Sequence, residues 1–425
     1  MKIIDRPLYS KRIKPFIGKG IIKVLTGQRR VGKSYIMLQL MEEIKTDHPD
    51  ANVIYINMEY EEFRMIHNDQ DLSQYLKTQI NPAKANYLFI DEIQDIDHFE
   101  HTLRDLQAKD SCDIFCTGSN AKMLSGELAT YLSGRYIEFH IHSLSYPEFL
   151  LFHQLPDDQQ GLTKYLTYGG LPYLSRLELN DEMAFEYLRN VYSTILLKDV
   201  VKREGIRNID FLETLAIYTA DNIGNLFSAN NISKYLKSQR VDISTLQVIN
   251  YLKALSNAFL IHKVGRIEIN GLKKFEIGEK YFFEDIGLRN SQIGFDLQRD
   301  IHKLIENTIY LHLSILQYEI YVGQQDGLEI DFVALKQGKK IYVQATYLIV
   351  DEKTKEREFG NLLAIPDNYP KYVVSLNPLN TGSNIEGIQH LHLADFLKKQ
   401  DFYKDYPKHF IPLKHRLFRC VHSYD

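Results

Sequence analysis

The octet Gly27-Gln28-Arg29-Arg30-Val31-Gly32-Lys33-Ser34 constrains this chain more than any other stretch. It matches G-x-x-x-x-G-K-[ST] at every fixed position. The apolar run Ile22–Thr26 precedes it and the helical pattern YIMLQLMEEI, beginning at Tyr35, follows it. A strand that turns through glycines into a helix crowds backbone N–H groups around one point, and the helix N-terminus adds positive potential there. The stretch Gly27 to Tyr35 is therefore expected to cradle the phosphates of ATP. Lys33 is expected to reach the β- and γ-phosphates and Ser34 to ligate Mg²⁺ through its hydroxyl.

A second apolar run, Tyr87–Ile90, ends in Asp91-Glu92. Behind a phosphate cradle, Asp91 is expected to support Mg²⁺ and Glu92 to act as the base that polarises the attacking water. A third run, Asp113–Thr117, ends in Gly118-Ser119-Asn120. Ser119 and Asn120 are both candidates to sense the γ-phosphate or orient the water, with Asn120 favoured as the catalytic residue. The alternative is a helix N-cap for AKMLSGEL. Arg135, ahead of the run Tyr136–Ile141, has the chemistry of an arginine finger acting in cis or from a second subunit, or of a surface ion pair.

From Ile21 to about His140, apolar runs alternate with amphipathic helical stretches, which demands a parallel sheet covered on both faces. The expected fold class is α/β, a P-loop core over residues 1–142. Apolar spacings of three and four then predict a helical lid over 143–229, punctuated by Tyr168-Gly-Gly-Leu-Pro172. Over 230–285 the order is a helix near Asn231–Lys237, a helix from an N-cap at Ser244 to about Ala258, and runs Leu260–Ile267 and Lys274–Phe283 about Asn270-Gly271. That is the order of a winged helix. Residues 286–425 return to mixed α/β, with a helix at Asp300–Ser314, strands at Ile315–Val322, Glu329–Leu335 and Lys340–Thr346, a helix near Lys355–Ile365 and a strand at Lys371–Ser375.

With 425 residues, more than one core is required. The formal charge of −4 argues against wholesale coating by nucleic acid and leaves room for a local basic face. One such face lies between Asn231 and Phe275, where Lys234, Lys237, Arg240, Lys253, Lys263, Arg266, Lys273 and Lys274 stand against Asp242 and Glu268. A recognition helix bearing Thr245, Gln247, Asn250 and Lys253 fits a DNA or RNA groove; the alternative is a module that only packs on the nucleotide domain. Cys112, Cys116 and Cys420 have no zinc-site spacing, and the first two are expected to be buried reduced thiols. No apolar run is long enough to span a membrane and the N-terminus has no apolar signal core, so a cytoplasmic protein without membrane contact is expected.

In the C-terminal part, Glu306 on a helix, Glu329-Ile-Asp331 on a strand and Val343-Gln344-Ala345-Thr346 on the next resemble the restriction-endonuclease-like fold. That resemblance implies metal-binding carboxylates at Glu306 and Asp331. Gln344 stands where the fold's active members carry a further carboxylate, and Thr346 stands where they carry lysine. Gln holds Mg²⁺ less well than a carboxylate and Thr supplies no positive charge, so cleavage is not expected unless a displaced lysine, Lys355 for example, intervenes.

Taken in order, GQRRVGKS, LFIDEIQ, CTGSNAKML, LSGRYIEFHIHSLSYPEF, GGLP, NAFLIHKVGR, KYFFEDIGLRN, GLEIDFVALK and TKEREFGNLLAI resemble a family of uncharacterised prokaryotic ATP-binding proteins. The family has an AAA-type P-loop core and a C-terminal domain of unknown function. The resemblance implies ATP binding, Walker A at Gly27–Ser34 and Walker B at Asp91–Glu92; it supplies no substrate. Three functions are open: an ATPase switch acting on nucleic acid, a nucleotide-gated switch gripping a protein partner, and an ATP-regulated metal-dependent nuclease.

Overall fold

The computed structural model describes residues 4–121, 132, 134–226, 228–238, 243–272, 278–349, 352–377 and 381–404, without the side chains of 297, 298, 352 and 353. The segment AKMLSGEL beyond Ala121, Arg240, Asp242, Lys273, Lys274 and Cys420 lie outside the described residues, as do Lys408, Lys414, Arg416 and Arg419 near the C-terminus. The chain forms two compact units, and it passes between them more than once. The first comprises residues 1–221, 233–262 and 283–294; the second comprises 222–232, 263–282 and 295–425.

The first unit is built on β1 (Ile22–Thr26), β2 (Asn52–Asn57), β3 (Asn86–Asp91), β4 (Asp113–Gly118) and β5 (Tyr136–His140). They form one parallel sheet in the order β2-β3-β4-β1-β5. Leu25 pairs with Thr117 on one side and Phe139 on the other. Because β4 lies between β3 and β1, three strand ends converge: the cradle after β1, the carboxylates after β3 and Ser119 after β4. Crevices at the carboxyl ends of such strands are where open α/β sheets bind ligands.

One face of the sheet buries Val24, Ile56, Leu88, Ile90 and Ile114 with Leu72, Leu76 and Leu103 from the helices Asp69–Gln79 and Phe99–Ala108. Helix starts are fixed locally, as at Asn68, whose side chain accepts from the N–H groups of Gln70 and Asp71. Lys23 is fully buried in the inner strand β1; its ammonium pairs with Asp113 and lies 4.2 Å from the Phe115 ring centroid. Cys116 is buried as expected, while Cys112 is only half-buried. Helices follow at Tyr146–His153, Gln159–Tyr168, Asp181–Thr194 (continuing as π-helical turns through Lys202), Ile209–Asp221, Thr245–Asn257 and Ile286–Ile293. Ser244 caps its helix through a reciprocal pair with Gln247. In the Ile286–Ile293 helix, Arg289 is fully buried and donates to Ala220 O at 2.9 Å, and Asn290 donates to Leu166 O and Thr167 O.

The run Leu260–Ile267 is not one strand. It divides at Gly265 into β6 (Ile261–Val264), which pairs with β8 (Lys280–Phe283), and β7 (Arg266–Glu268), which enters the sheet of the second unit. β7 runs parallel to β9 (Glu319–Gln325), Arg266 opposite Val322. β10 (Leu328–Lys336) and β11 (Lys339–Ala345) continue antiparallel from β9; β12 (Lys371–Ser375) and β14 (Ile388–His392) are parallel to β11, and β13 (Asn384–Ile385) closes the edge. The strand expected from Ile315 begins at Glu319, because the preceding helix Leu297–Ile315 continues through Ile315, buried with Leu313. On one face Ile330, Val333, Tyr342 and Val373 pack against Phe359 and Leu362 of the helix Glu352–Leu363. Phe282 stacks on Tyr310 at 4.8 Å and lies 5.6 Å from Phe332.

Candidate functional site

The cradle is shaped by steric demands that only glycine meets. Gly27 has φ 140°, and a Cβ there would lie 2.2 Å from Ile141 O. Gly32 has φ 97° and starts the helix Lys33–Asp47. Lys33 is buried, and its Nζ donates to Gly27 O at 3.1 Å and Gln28 O at 3.0 Å, with Glu92 Oε1 3.9 Å away. Burial lowers the Lys33 pKa despite Glu92 and Asp91 nearby. Gln28 is buried, donating to Phe259 O, whereas Arg30 is exposed in the left-handed region. Ser34 and Tyr35 begin the helix, and the Tyr35 hydroxyl accepts from Arg176 at 3.0 Å.

Asp91 ends β3 and accepts from the Thr117 hydroxyl on β4; that hydroxyl also accepts from Glu92 N at 2.9 Å. Glu92 is held in the left-handed region at φ 57°, a conformation that a non-glycine residue keeps only when its surroundings enforce it. Its carboxylate accepts from Ser119 Oγ at 3.2 Å and from Gln94 Nε2. Burial pushes the Glu92 pKa up, but Lys33 and Arg29 outweigh it and hold the group below the usual carboxylate value. Of the two polar residues after β4, Ser119 therefore touches the carboxylate. Asn120 is buried beside it, and the next residue is tied down through Ala121 N donating to Asn257 O.

Arg135 is not brought to this site. Its carbonyl accepts from Ile22 N at the start of β1, whereas the cradle follows the strand's other end; about five strand residues, ~16 Å, separate the two. The arginine that arrives is Arg203, just beyond the π-helical turns. It donates to Ser119 Oγ at 3.1 Å and pairs with Asp199 at 3.1 Å. Asp199 also takes a bidentate pair from Arg29 of the cradle, at 2.9 and 3.0 Å. Sequence reasoning missed Arg203 and Asp199; their i, i+4 spacing is visible, but nothing local says which loop they face. It also missed Arg6, which is buried in a bidentate pair with Glu148 and donates to Val31 O in the cradle at 2.9 Å and to His142 O at 3.1 Å.

Beside the cradle is a cavity of about 380 Å³ lined by Arg29, Lys33, Ser34, Tyr35, Glu92 and Tyr173, among others. Its volume is in the range of small-molecule sites. A loop of backbone N–H groups at a helix N-terminus, a buried ammonium turned onto loop carbonyls and glycines packed against backbone fit a nucleotide triphosphate. The Ser34 hydroxyl and Asp91 fit a hard divalent cation such as Mg²⁺.

In the second unit the carboxylates expected to hold a metal are gathered around a lysine that the sequence reading did not single out. Lys280 Nζ, buried, lies 3.0 Å from Glu306, 3.1 Å from Glu329 and 3.3 Å from Asp331. Asp331 is fixed further by Ala345 N at 2.9 Å, and Gln344 Oε1 accepts from Asp331 N. Thr346 is buried after β11, and Lys355 is on the Glu352–Leu363 helix. Burial and the neighbouring Asp331 raise the Glu306 pKa, as expected where three carboxylates share one ammonium.

The parallel sheet, cradle and paired carboxylates define an AAA-type P-loop domain. Residues 19–150 match a family model described as an AAA domain, and residues 159–299 match one described as a domain of unknown function, DUF8612. The chain belongs to the family of an uncharacterized protein of Haemophilus influenzae, with which it is 34% identical over 93% of this chain and 98% of that protein. An uncharacterized protein of Methanocaldococcus jannaschii is 29% identical over 84% of this chain and 80% of its own. Among solved structures, the Aeropyrum pernix Orc1 protein in complex with DNA is distantly similar, with 12% identity, 68% of this chain and 93% of that one covered, and a TM-score of 0.32. AMPPCP-bound DnaA from Aquifex aeolicus has 14% identity, coverage of 60% and 89%, and a TM-score of 0.29. Among the described residues no helix is long and apolar enough to cross a membrane.

Proposed function

We propose that this chain hydrolyses Mg²⁺-bound ATP to ADP and phosphate and uses the nucleotide state as a switch acting on nucleic acid. The observation that carries the ATPase reading is Glu92: a buried carboxylate, 3.9 Å from the cradle lysine and oriented by Ser119 and Gln94. Bound ATP and Mg²⁺ supply the phosphoanhydride and the charge compensation for its cleavage. Glu92, ionised at neutral pH, accepts a proton from the attacking water. Lys33 would leave the carbonyls of Gly27 and Gln28 to neutralise phosphate charge, Ser34 and Asp91 would hold the cation, and Arg203 contacts Ser119 beside them. Tyr35 and Tyr173 offer aromatic walls for the base. An arginine-finger role for Arg135 would require a second subunit.

The finer architecture of this reading is a core to residue 142, a helical lid over 143–229, a winged helix within 230–285 and a restriction-endonuclease-like domain within 286–425. The last is supported by the order helix, three antiparallel strands, helix, parallel strand, with Glu306 and Asp331 side by side. Lys280 occupies that cluster with its ammonium within 3.3 Å of all three carboxylates, so no nuclease activity is proposed. The nucleic-acid reading rests on exposed Gln247, Asn250 and Lys253 along one helix in a segment rich in Lys and Arg. A protein partner is the second reading, favoured by Leu246 and Ile249, which are 66% and 48% exposed on that same helix.

The deciding measurement is steady-state phosphate release by the wild type and by Glu92→Gln, each with and without mixed DNA and RNA. A fall of about 10²–10⁴-fold in the variant supports the base assignment, and stimulation by nucleic acid supports the switch. Turnover unchanged by Glu92→Gln removes the proposed role of Glu92. Turnover indifferent to DNA and RNA shifts the partner reading to protein.

A further inference from the structure

Behind the cradle, three histidines converge on one buried carboxylate. Glu284 is fully buried. Its Oε2 lies 3.0 Å from His142 Nδ1, 2.6 Å from His262 Nε2 and 3.7 Å from His140 Nε2. One donor atom each from His140, His142 and Glu284 falls within a mutual 4.8 Å. All four residues belong to the first unit.

We propose that His140, His142 and Glu284, completed by His262, bind a divalent d-block cation of the zinc class. Two or three imidazoles with one carboxylate is a donor set suited to Zn²⁺ rather than to Mg²⁺ or Ca²⁺, which prefer oxygen throughout. Donors bonded tetrahedrally at 2.0–2.1 Å lie ~3.3 Å apart, and the separations from Glu284 bracket that value.

The hydrogen bonding around the cluster points the same way. The Thr26 hydroxyl gives its single proton to Glu138 and so accepts from His140 Nδ1 at 3.3 Å. That arrangement protonates Nδ1 and leaves His140 Nε2 with its lone pair toward the Glu284 carboxylate. Nε2 is buried, and Glu284 Oε2, 3.7 Å away, lies beyond ordinary hydrogen-bond distance. Two acceptors facing each other at 3.7 Å across a buried gap are accommodated by a cation between them. The outer contacts are those of a metal site as well: Thr26 orients His140, and Ser143 N donates to Glu284 Oε1 at 2.9 Å. Three donors stand in mutual reach, and His262, 2.6 Å from Glu284 Oε2, would close the site around a structural ion by shifting onto it. It would tie the end of β5 to the segments carrying His262 and Glu284. The nucleotide loop is next to it: the His140 ring lies 4.7 Å from that of Phe259, whose carbonyl accepts from Gln28.

The test uses the full chain, chelator-stripped and nucleotide-free, then equilibrated with Zn²⁺ or, in parallel, Co²⁺ and dialysed. Metal analysis should give about one ion per chain, Co²⁺ should show the visible bands of a four-coordinate site, and Zn²⁺ should raise Tm. His140→Gln and His142→Gln, each checked for folding by circular dichroism, should weaken Zn²⁺ binding about 10²-fold and abolish the Tm shift. His140→Gln is the decisive variant should His142→Gln fail to fold, because His140 is the more exposed of the two. Failure of the wild type to retain either metal overturns the proposal. So does retention that is undiminished in the histidine variants, or that is lost instead in Glu306→Gln, which would place the ion in the second unit.

Discussion

At the scale of single residues, the cradle depends on side chains far from it in sequence. Arg6 is buried with Glu148 and holds Val31 of the loop by its carbonyl. Removing one member of a buried pair leaves the other charged and unpaired, so Arg6→Ala should cost about 3–5 kcal/mol, read from chemical denaturation. The pH dependence carries a sign. Burial alone pushes Glu148 up, but Arg6 and Ser145 outweigh it and hold its pKa below the usual value. Its contribution to stability is therefore present above the unfolded carboxylate value, ~4.3, and lost as pH falls through the lowered folded value. In Arg6→Ala, burial remains without the compensating charge, and the folded pKa moves above the unfolded one. This carboxylate should then lower stability as pH rises through that interval, and unfolding curves from pH 3 to 7 for the two proteins would show opposite local slopes.

At the scale of elements, the strand order β3-β4-β1 brings the site together, and the π-helical end of the helix that begins at Asp181 completes it. Asp199, near the end of the π-helical turns, grips Arg29 of the cradle, while Arg203 reaches Ser119 after β4. Arg203→Ala should reduce ATP turnover by about 10²-fold if the guanidinium stabilises developing charge; nucleotide binding, followed with a fluorescent ATP analogue, should change much less. Equal losses in binding and turnover would instead make Arg203 a binding residue. Gly27→Ala tests the loop itself. A Cβ 2.2 Å from Ile141 O must move β5 or the loop, at a φ of 140° that alanine does not tolerate, so ATP binding should be lost. Retained binding would show that the loop can open away from β5.

At the scale of the whole molecule, the two units treat buried charge differently. The first gathers charge that a nucleotide and a cation would complete, whereas the second has supplied its own cation in Lys280. Lys280→Met should strand three carboxylates and lower stability by about 3–5 kcal/mol. Mn²⁺ should restore much of that loss in the variant and leave the wild type unmoved, as read by thermal unfolding. A variant that neither loses stability nor responds to Mn²⁺ would mean that the ammonium does not organise the cluster.

The sequence alone determined what depends on local chemistry and on periodicity. The octet at Gly27–Ser34 carries its meaning in seven peptide units, and apolar runs next to helical patterns dictate a parallel sheet because buried strands must be apolar on both faces. The Ser244 cap and the strand Lys371–Ser375 were legible for the same reason. What only the tertiary structure decided is which distant charges meet. Arg135 precedes β5 and lies at the wrong end of β1, because parallel strands put their starts together and their ends together. Arg203, Arg6 and Lys280 meet their partners across 84, 142 and 26 residues of chain. β7 parts from β6 at Gly265 and joins the sheet containing β9, although Leu260–Ile267 reads as one run in the sequence. Pairings of that kind are set by packing and desolvation in three dimensions, which leave no period or spacing in the sequence to read.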